Sequence, residues 1–457
     1  MNGTTYSTID PATGECSARF DDLDAAGIET ALASAARGFD SWRKLPVTQR
    51  AAALSRVADA LLAEKQALAA LATLEMGKPL AQAVAEVEKC ADICRHYAGH
   101  GEAMLAQARV ALPSGTAASV RLQPLGPVLA VMPWNFPYLQ IVRFVAPTLA
   151  GGNVAVVKPA ASVPQCALAL QRILDDALPP GVCQTLLLRT GDIAGLIADP
   201  RIAAVTLTGS ERAGQAVATA AGQVLKKCVL ELGGSDAFVV MPSADLDQAV
   251  RMGVQARTAN NGQSCVCAKR FIVHEAVYPP FEQAFVAALQ ALKAGHPAQA
   301  DVQLGPLASE RARHDLHAQV QAALSEGARL LCGGVLPDGP GYYYPPTALA
   351  DIPPGAQTRQ QEMFGPVAML FRVGSLEEAI AVANETPFGL GSAIWTRDVA
   401  EQNAFIENVQ AGITAVNALV FSDARLPFGG VKRSGYGREL SSAGLLEFLN
   451  MKTVIGA

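Results

Sequence analysis

The sequence predicts an α/β protein built on parallel sheets with helices on their faces. Three observations carry that expectation. Short apolar runs alternate with helical stretches over most of the chain. A length of 457 residues suggests two or three domains rather than one. Half of the residues are hydrophobic and 17% are charged, which allows a large buried core.

The elements follow in order. Residues 24–110 carry Ala, Leu and Val at a helical period, as in Arg50-Ala51-Ala52-Ala53-Leu54-Ser55-Arg56-Val57-Ala58, and read as helices. Val120-Arg121-Leu122-Gln123 alternates, Pro124-Leu125-Gly126-Pro127 turns, and Val128 to Met132 is a continuous apolar strand. Strands at 153–157, 185–188 and 204–207 then alternate with helices at 164–178 and 211–222. After Glu231 a second alternation starts at Ala237-Phe238-Val239-Val240 and runs to about residue 430, so a domain boundary is expected near 231. The apolar end of the chain, Glu447 to Val454, reads as an edge strand, and such an edge favours pairing with another chain.

Bulk properties exclude several functions. A formal charge of -5 and the lack of any Lys/Arg block argue against nucleic acid as partner. The most apolar zone, 128–157, is interrupted by Pro133, Pro137, Arg143 and Pro147, so no membrane span is expected. Residues 1–10 have neither the basic nor the apolar part of a signal peptide. Nine irregularly spaced cysteines do not form a disulfide framework and point to a reducing cytoplasm. Cys90 and Cys94 would share one helix face, but no second ligand pair has zinc spacing, and no metal is expected.

The chemistry lies in two segments. Cys265 sits in Asn261-Gly262-Gln263-Ser264-Cys265-Val266-Cys267, a small polar setting in which a thiolate can be exposed. Glu231 ends an apolar run and opens Glu231-Leu232-Gly233-Gly234, where it can serve as a base. The pair suggests covalent catalysis on a carbonyl followed by thioester hydrolysis. Taken singly, each has a plainer reading, since a cysteine in an apolar-rich chain is more often inert core. Cys267 competes for the nucleophile role.

Further motifs follow in order: Pro133-Trp134-Asn135-Phe136-Pro137, Val157-Lys158-Pro159, Thr208-Gly209-Ser210-Glu211-Arg212-Ala213-Gly214, Glu362-Met363-Phe364-Gly365-Pro366-Val367 and Pro427-Phe428-Gly429-Gly430-Val431-Lys432. With these, the chain resembles the aldehyde dehydrogenase superfamily over nearly its whole length, and within it the succinate-semialdehyde dehydrogenases. The resemblance implies an aldehyde dehydrogenase-like fold: two parallel-sheet α/β domains, one Rossmann-like, plus a small β oligomerisation arm. The boundaries expected are 1–105 with 126–231 for the cofactor domain, 232–435 for the catalytic domain, and 106–125 with 436–457 for the arm of a homodimer or homotetramer.

The same resemblance implies the site. Cys265 is the nucleophile, matching the Gly-Gln-x-Cys position, Glu231 activates water, and the Asn135 amide stabilises the oxyanion. Trp134, Lys158, Gly209, Ser210, Gly214, Glu362 and Phe364 are assigned to NAD or NADP. Many NAD-preferring relatives have a glutamate three residues after the lysine. This chain has Ala161, which leaves room for NADP. Arg143 is expected to bind the carboxylate of a short semialdehyde such as succinate semialdehyde, with Ser422 as an extra donor; an internal carboxylate partner for Arg143 is the alternative. Some relatives add an arginine six residues before the cysteine, where this chain has Ala259, with Arg257 nearby. Other functions considered are a broad-range aldehyde dehydrogenase and a cofactor-free cysteine hydrolase or acyltransferase. A Cys265–Cys267 disulfide, strained across one residue, would silence the enzyme.

Overall fold

The computed structural model describes residues 6–456; residues 1–5 of the segment read for a leader lie outside them. Two large sheets organise the chain. The first has six strands in the order Gly435–Tyr436, Lys227–Glu231, Ala204–Thr208, Pro127–Val131, Val154–Lys158 and Cys183–Thr185. The last five are parallel, and Gly435–Tyr436 runs antiparallel at the edge. Numbered along the chain, the parallel strands lie in the order 5-4-1-2-3, the doubly wound pattern whose reversal falls between Pro127–Val131 and Ala204–Thr208.

The second sheet has seven strands: Arg329–Cys332, Thr347–Ala350, Val367–Val373, Ala268–His274, Asp236–Val240, Gly391–Trp395 and Ile413–Val416. All pairings are parallel except that of Arg329–Cys332 at the edge. Val154–Lys158 and Asp236–Val240 are buried at every position, as expected of strands covered on both faces. The long helix Leu80–Met104 packs against Leu139–Ala150, which is itself buried along its whole length.

A third, three-stranded antiparallel sheet joins Leu449–Ile455, Ala117–Pro124 and Ala108–Ala111. Val110, Met451 and Ile455 are exposed on it. Among the described residues no helix is long and apolar enough to cross a membrane.

Two expectations need correction. The strand read at 185–188 is Cys183–Thr185. The Tyr6 hydroxyl donates to Leu188 O at 2.8 Å and accepts from Leu188 N at 3.0 Å, which takes that residue out of the ladder. The stretch from 436 to 448, assigned to the arm, lies against the first sheet. Gly435 pairs with Glu231 and Tyr436 with Leu230, so only residues from Leu449 onward join the small sheet.

Candidate active site

The carboxyl ends of the central strands of the first sheet meet the amino ends of strands of the second. Pro127–Val131 leads into Pro133-Trp134-Asn135, Ala204–Thr208 into Gly209-Ser210, and Lys227–Glu231 ends on Glu231 itself. From the other side, Cys265 precedes the strand Ala268–His274. The crevice at a switch point is where doubly wound sheets bind ligands. A cavity of about 290 Å³ lies there, lined by Asn135, Glu231 and Cys265 together with Trp134, Gly209, Ser210, Glu362 and Phe364.

Backbone geometry fixes the cysteine loop. Asn260 and Asn261 adopt left-handed conformations (φ 55° and 58°), which asparagine tolerates better than most residues. Asn261 Nδ2 donates to Gly77 O and Pro306 O at 2.8 and 2.9 Å, and its Oδ1 accepts from Gly305 N. Gly262 (φ 74°) lies so close to the 365–366 backbone that a Cβ would stand 2.4 Å from Gly365 C. Buried Lys269 holds the far side, donating to Ser264 O and Cys265 O at 2.9 and 2.6 Å and pairing with Glu362 Oε1 at 3.2 Å. Glu362 Oε1 also accepts from Gly234 N. The Glu-Leu-Gly-Gly motif gains a steric reason: a Cβ at Gly233 would meet Glu362 Oε2 at 2.5 Å, and one at Gly234 would meet Cys265 O at 2.6 Å.

Asn135 Nδ2 donates to Gln263 O at 3.0 Å, which orients the amide and leaves its second N–H available. The Asn135 carbonyl is held by Asn260 Nδ2 at 2.8 Å. Burial pushes the Cys265 thiol up to about 12, while the nearby charges of Arg143 and Lys269 pull it down. Glu231 is buried, neither carboxylate oxygen has a hydrogen-bond partner, and desolvation followed by the charge of Glu439 holds its carboxyl well above the usual range. Arg143 opposes that shift. Arg143 is itself buried, ion-paired through Nε with Glu439 and stacked on Phe428 at 4.3 Å, and its Nη2 has no partner.

A dinucleotide has room beside these groups. Ser210 caps the helix Glu211–Gln223, its Oγ accepting from Ala213 N at 3.4 Å, so the hydroxyl proton stays free at a helix start suited to phosphate. Thr208 Oγ1 is buried without a partner at the same edge. A second cavity of about 290 Å³ is lined by Lys158 and by Val131, Ile193, Leu207, Ala213 and Val217, an apolar slot with one ammonium that fits an adenosine.

The sequence profile of the aldehyde dehydrogenase family matches residues 1–454. The chain belongs to that family. Among similar aldehyde dehydrogenases, a succinate-semialdehyde dehydrogenase (NADP+) of Mycobacterium tuberculosis is 50% identical over 451 residues, covering 98% of this chain and 99% of the relative. A probable succinate-semialdehyde dehydrogenase (NADP+) of Synechocystis is 50% identical over 449 residues, covering 98% and 99%. The crystal structure of the Streptococcus pyogenes succinic semialdehyde dehydrogenase with NADP+ superposes with a TM-score of 0.96 at 37% identity, covering 98% and 99%. Lactaldehyde dehydrogenase of Escherichia coli superposes at 0.97 with 32% identity, covering 100% and 96%, so the backbone is shared by aldehyde dehydrogenases of different substrates.

In this aldehyde dehydrogenase the expected residues separate into groups. Cys265, Glu231, Asn135, Trp134, Gly209, Ser210, Glu362 and Phe364 share one cavity, with Trp134 and Phe364 edge to face at 5.8 Å. Lys158 lies in the adenosine-sized slot. Gly214 lines neither cavity. A Cβ there would stand 2.7 Å from Leu232 Cδ2, so this glycine serves helix packing. Ser422 is not brought to the Cys265 cavity and opens to a different one. Cys267 is buried, faces another pocket beside Phe238, and its Sγ donates to Ala259 O at 3.4 Å; both cysteines are free thiols. The sequence reading missed Lys269, Glu439 and Gln140, whose buried Oε1 lacks a partner on the cavity wall. A lysine and arginine side by side in the apolar run 268–274 were the available signal for Lys269.

Proposed function

We propose that this enzyme oxidises succinate semialdehyde, or a similar short semialdehyde, to the carboxylic acid, with NADP preferred over NAD. The observation that carries the chemistry is the single cavity lined by Cys265, Asn135 and Glu231 beside the Gly209-Ser210 helix start. The substrate reading is supported by relatives named for that reaction at half identity over almost the whole chain. It is supported also by Arg143, whose Nη2 has no protein partner and suits a carboxylate. NADP is supported by those names and by Ala161, which puts no carboxylate in the position that would repel a 2'-phosphate.

The residues act in sequence. Cys265 must lose its proton before it attacks, a loss that burial opposes and the charges of Arg143 and Lys269 favour. Addition to the carbonyl puts negative charge on oxygen. The free Asn135 N–H and the Cys265 backbone N–H receive it, a stabilisation of about 3–4 kcal/mol for one well-aimed donor. Gly209, Ser210, Lys158, Glu362 and Phe364 would hold the dinucleotide, which supplies the hydride acceptor when bound. The acyl group then rests on Cys265 as a thioester, and Glu231 draws a proton from water to release the acid.

We assign the six-stranded sheet to the cofactor domain, the seven-stranded sheet to the catalytic domain, and the small sheet to an arm that joins copies of the chain. The exposed apolar edge Leu449–Ile455 supports that oligomer. The free state of all nine cysteines accords with a cytoplasmic setting. A panel of aldehydes run with NADP and with NAD, following reduced nicotinamide, tests the reading. The expected result is the highest kcat/KM for succinate semialdehyde with NADP. Equal efficiency on uncharged aldehydes of the same length would overturn the substrate assignment.

A further inference from the structure

The two donors proposed for the oxyanion come from separate segments. The Asn135 amide follows the strand Pro127–Val131, and the Cys265 N–H belongs to the loop before the strand Ala268–His274. Such donors work only when aimed at the point where charge develops, so the two segments must be held in register. The buried amide of Asn260 ties them together. Its Nδ2 donates to Asn135 O at 2.8 Å and to Gln263 O at 3.0 Å, and Gln263 O also accepts from Asn135 Nδ2 at 3.0 Å. Asn260 is 2% exposed and left-handed, and a buried backbone N–H there needs an acceptor. Gln82 supplies it from the helix Leu80–Met104, its Oε1 accepting from Asn260 N at 2.7 Å.

The same helix grips the other segment. Glu86 stands one turn beyond Gln82 and is buried. Its Oε1 accepts from Tyr138 N and Leu139 N at 2.9 and 3.0 Å, the backbone amides at the start of the helix that follows Asn135. Its Oε2 pairs with buried Lys78, whose ammonium lies 4.2 Å from the centre of the Phe136 ring. Neither Gln82 nor Glu86 lines the cavity of Cys265. One helix start therefore fixes both segments from behind, through Gln82 to the cysteine loop and through Glu86 to the asparagine loop.

We propose that Gln82 is a positioning residue of the oxyanion site, holding the Asn260 backbone and, through the Asn260 amide, the Asn135 side chain in the orientation that the developing charge requires. This rests on the role given to Asn135 above. A glutamine on a half-exposed helix face is ordinarily a solvated residue; here its carbonyl serves a buried N–H two bonds away from the reacting groups in the hydrogen-bond chain. The oxyanion is common to all aldehydes, so Gln82 governs rate and leaves the choice of substrate alone.

The test is the single-turnover rate of reduced-cofactor formation, by stopped flow, in the full-length enzyme with saturating NADP and saturating aldehyde. Asn135→Ala should slow it by about a hundredfold to a thousandfold. Gln82→Met, nearly isosteric but without the acceptor, should slow it roughly tenfold to a hundredfold, by the same factor for succinate semialdehyde and for butanal. Gln82→Glu keeps an acceptor and should recover most of the rate. The decisive measurement is the double variant: once Asn135 is alanine, Gln82→Met should cost little more, because the group it positions is gone. A merely structural role would slow both backgrounds alike. A wild-type rate in Gln82→Met, or equal slowing with and without Asn135, overturns this inference alone. A wild-type rate in Asn135→Ala overturns the oxyanion reading and this inference with it. If Gln82→Met does not fold, Gln82→Ala, which favours the helix, takes its place in the same cycle.

Discussion

Arg143→Leu separates two jobs of one guanidinium. Its Nε side is paired with Glu439 in a site where the two side chains are 3% and 6% exposed. Removing the cation leaves Glu439 buried beside Glu231, and breaking such a pair costs about 3–5 kcal/mol. That loss should lower the melting midpoint and reduce turnover of every aldehyde. The Nη2 side has no protein partner, and if it holds the substrate carboxylate, its loss removes a charge-assisted hydrogen bond of about 1.5–3 kcal/mol. Only the charged substrate feels that second loss. The kcat/KM ratio of succinate semialdehyde to butanal should therefore fall roughly tenfold to a hundredfold. The double variant Arg143→Leu/Glu439→Leu should regain stability by removing the orphaned carboxylate, without regaining the ratio. Steady-state kinetics on both aldehydes and thermal unfolding of the three proteins measure each part. Equal losses on both substrates would make Arg143 purely structural and refute its place in recognition.

Cys265→Ala should abolish aldehyde oxidation and leave NADP binding measurable by fluorescence, whereas Cys267→Ala should remain active because its sulfur faces another pocket. Glu231→Gln should give a burst of about one reduced cofactor per site and then slow turnover, as acylation outruns hydrolysis; steady turnover at the wild-type rate would remove Glu231 as the base. Ala161→Glu should shift preference toward NAD by roughly tenfold, since like charges near a 2'-phosphate cost about 1–3 kcal/mol after screening. An unchanged cofactor ratio in that variant would mean that position 161 does not face the ribose. Alkylation of Cys265 by iodoacetamide needs the thiolate, and burial pushes the thiol up to about 12, so the rate should climb about tenfold per pH unit between roughly pH 7 and 9. A plateau below that range, read by peptide mass spectrometry, would contradict the buried-thiol picture.

The sequence carries some of these features much better than others. The apolar runs Val154 to Val157 and Ala237 to Val240 declare themselves because the interior of a strand buried on both faces must be apolar. The Gly-Gly after Glu231 and the glycine before Cys265 stand out for a related reason, since close backbone approach leaves no other choice. Leu186 to Leu188 look like the same kind of strand, yet the hydroxyl of Tyr6, far away in sequence, intercepts Leu188, and no local pattern encodes that. The partnership of Arg143 with Glu439 spans nearly 300 positions and joins two ordinary-looking charges. Gly214 shows the reverse case: a glycine expected at the cofactor packs tightly against Leu232.

The contact between Gly262 and the backbone of Gly365 is made without side chains. The loop bearing Cys265 and the segment bearing Glu362 and Phe364 therefore behave as one wall, whose spacing no rotamer can adjust. Hydride transfer demands a fixed separation between sulfur-bound carbon and cofactor, and this wall supplies it independently of what the rest of the aldehyde looks like. Variation in substrate must then be absorbed by the other side of the cavity, where Asn135 and, from the helix Leu139–Ala150, Gln140 stand. Like a vise with one fixed jaw, the enzyme can change what it grips by exchanging the other. Redesign toward new aldehydes should spare the glycine contact and concentrate its substitutions across the cleft.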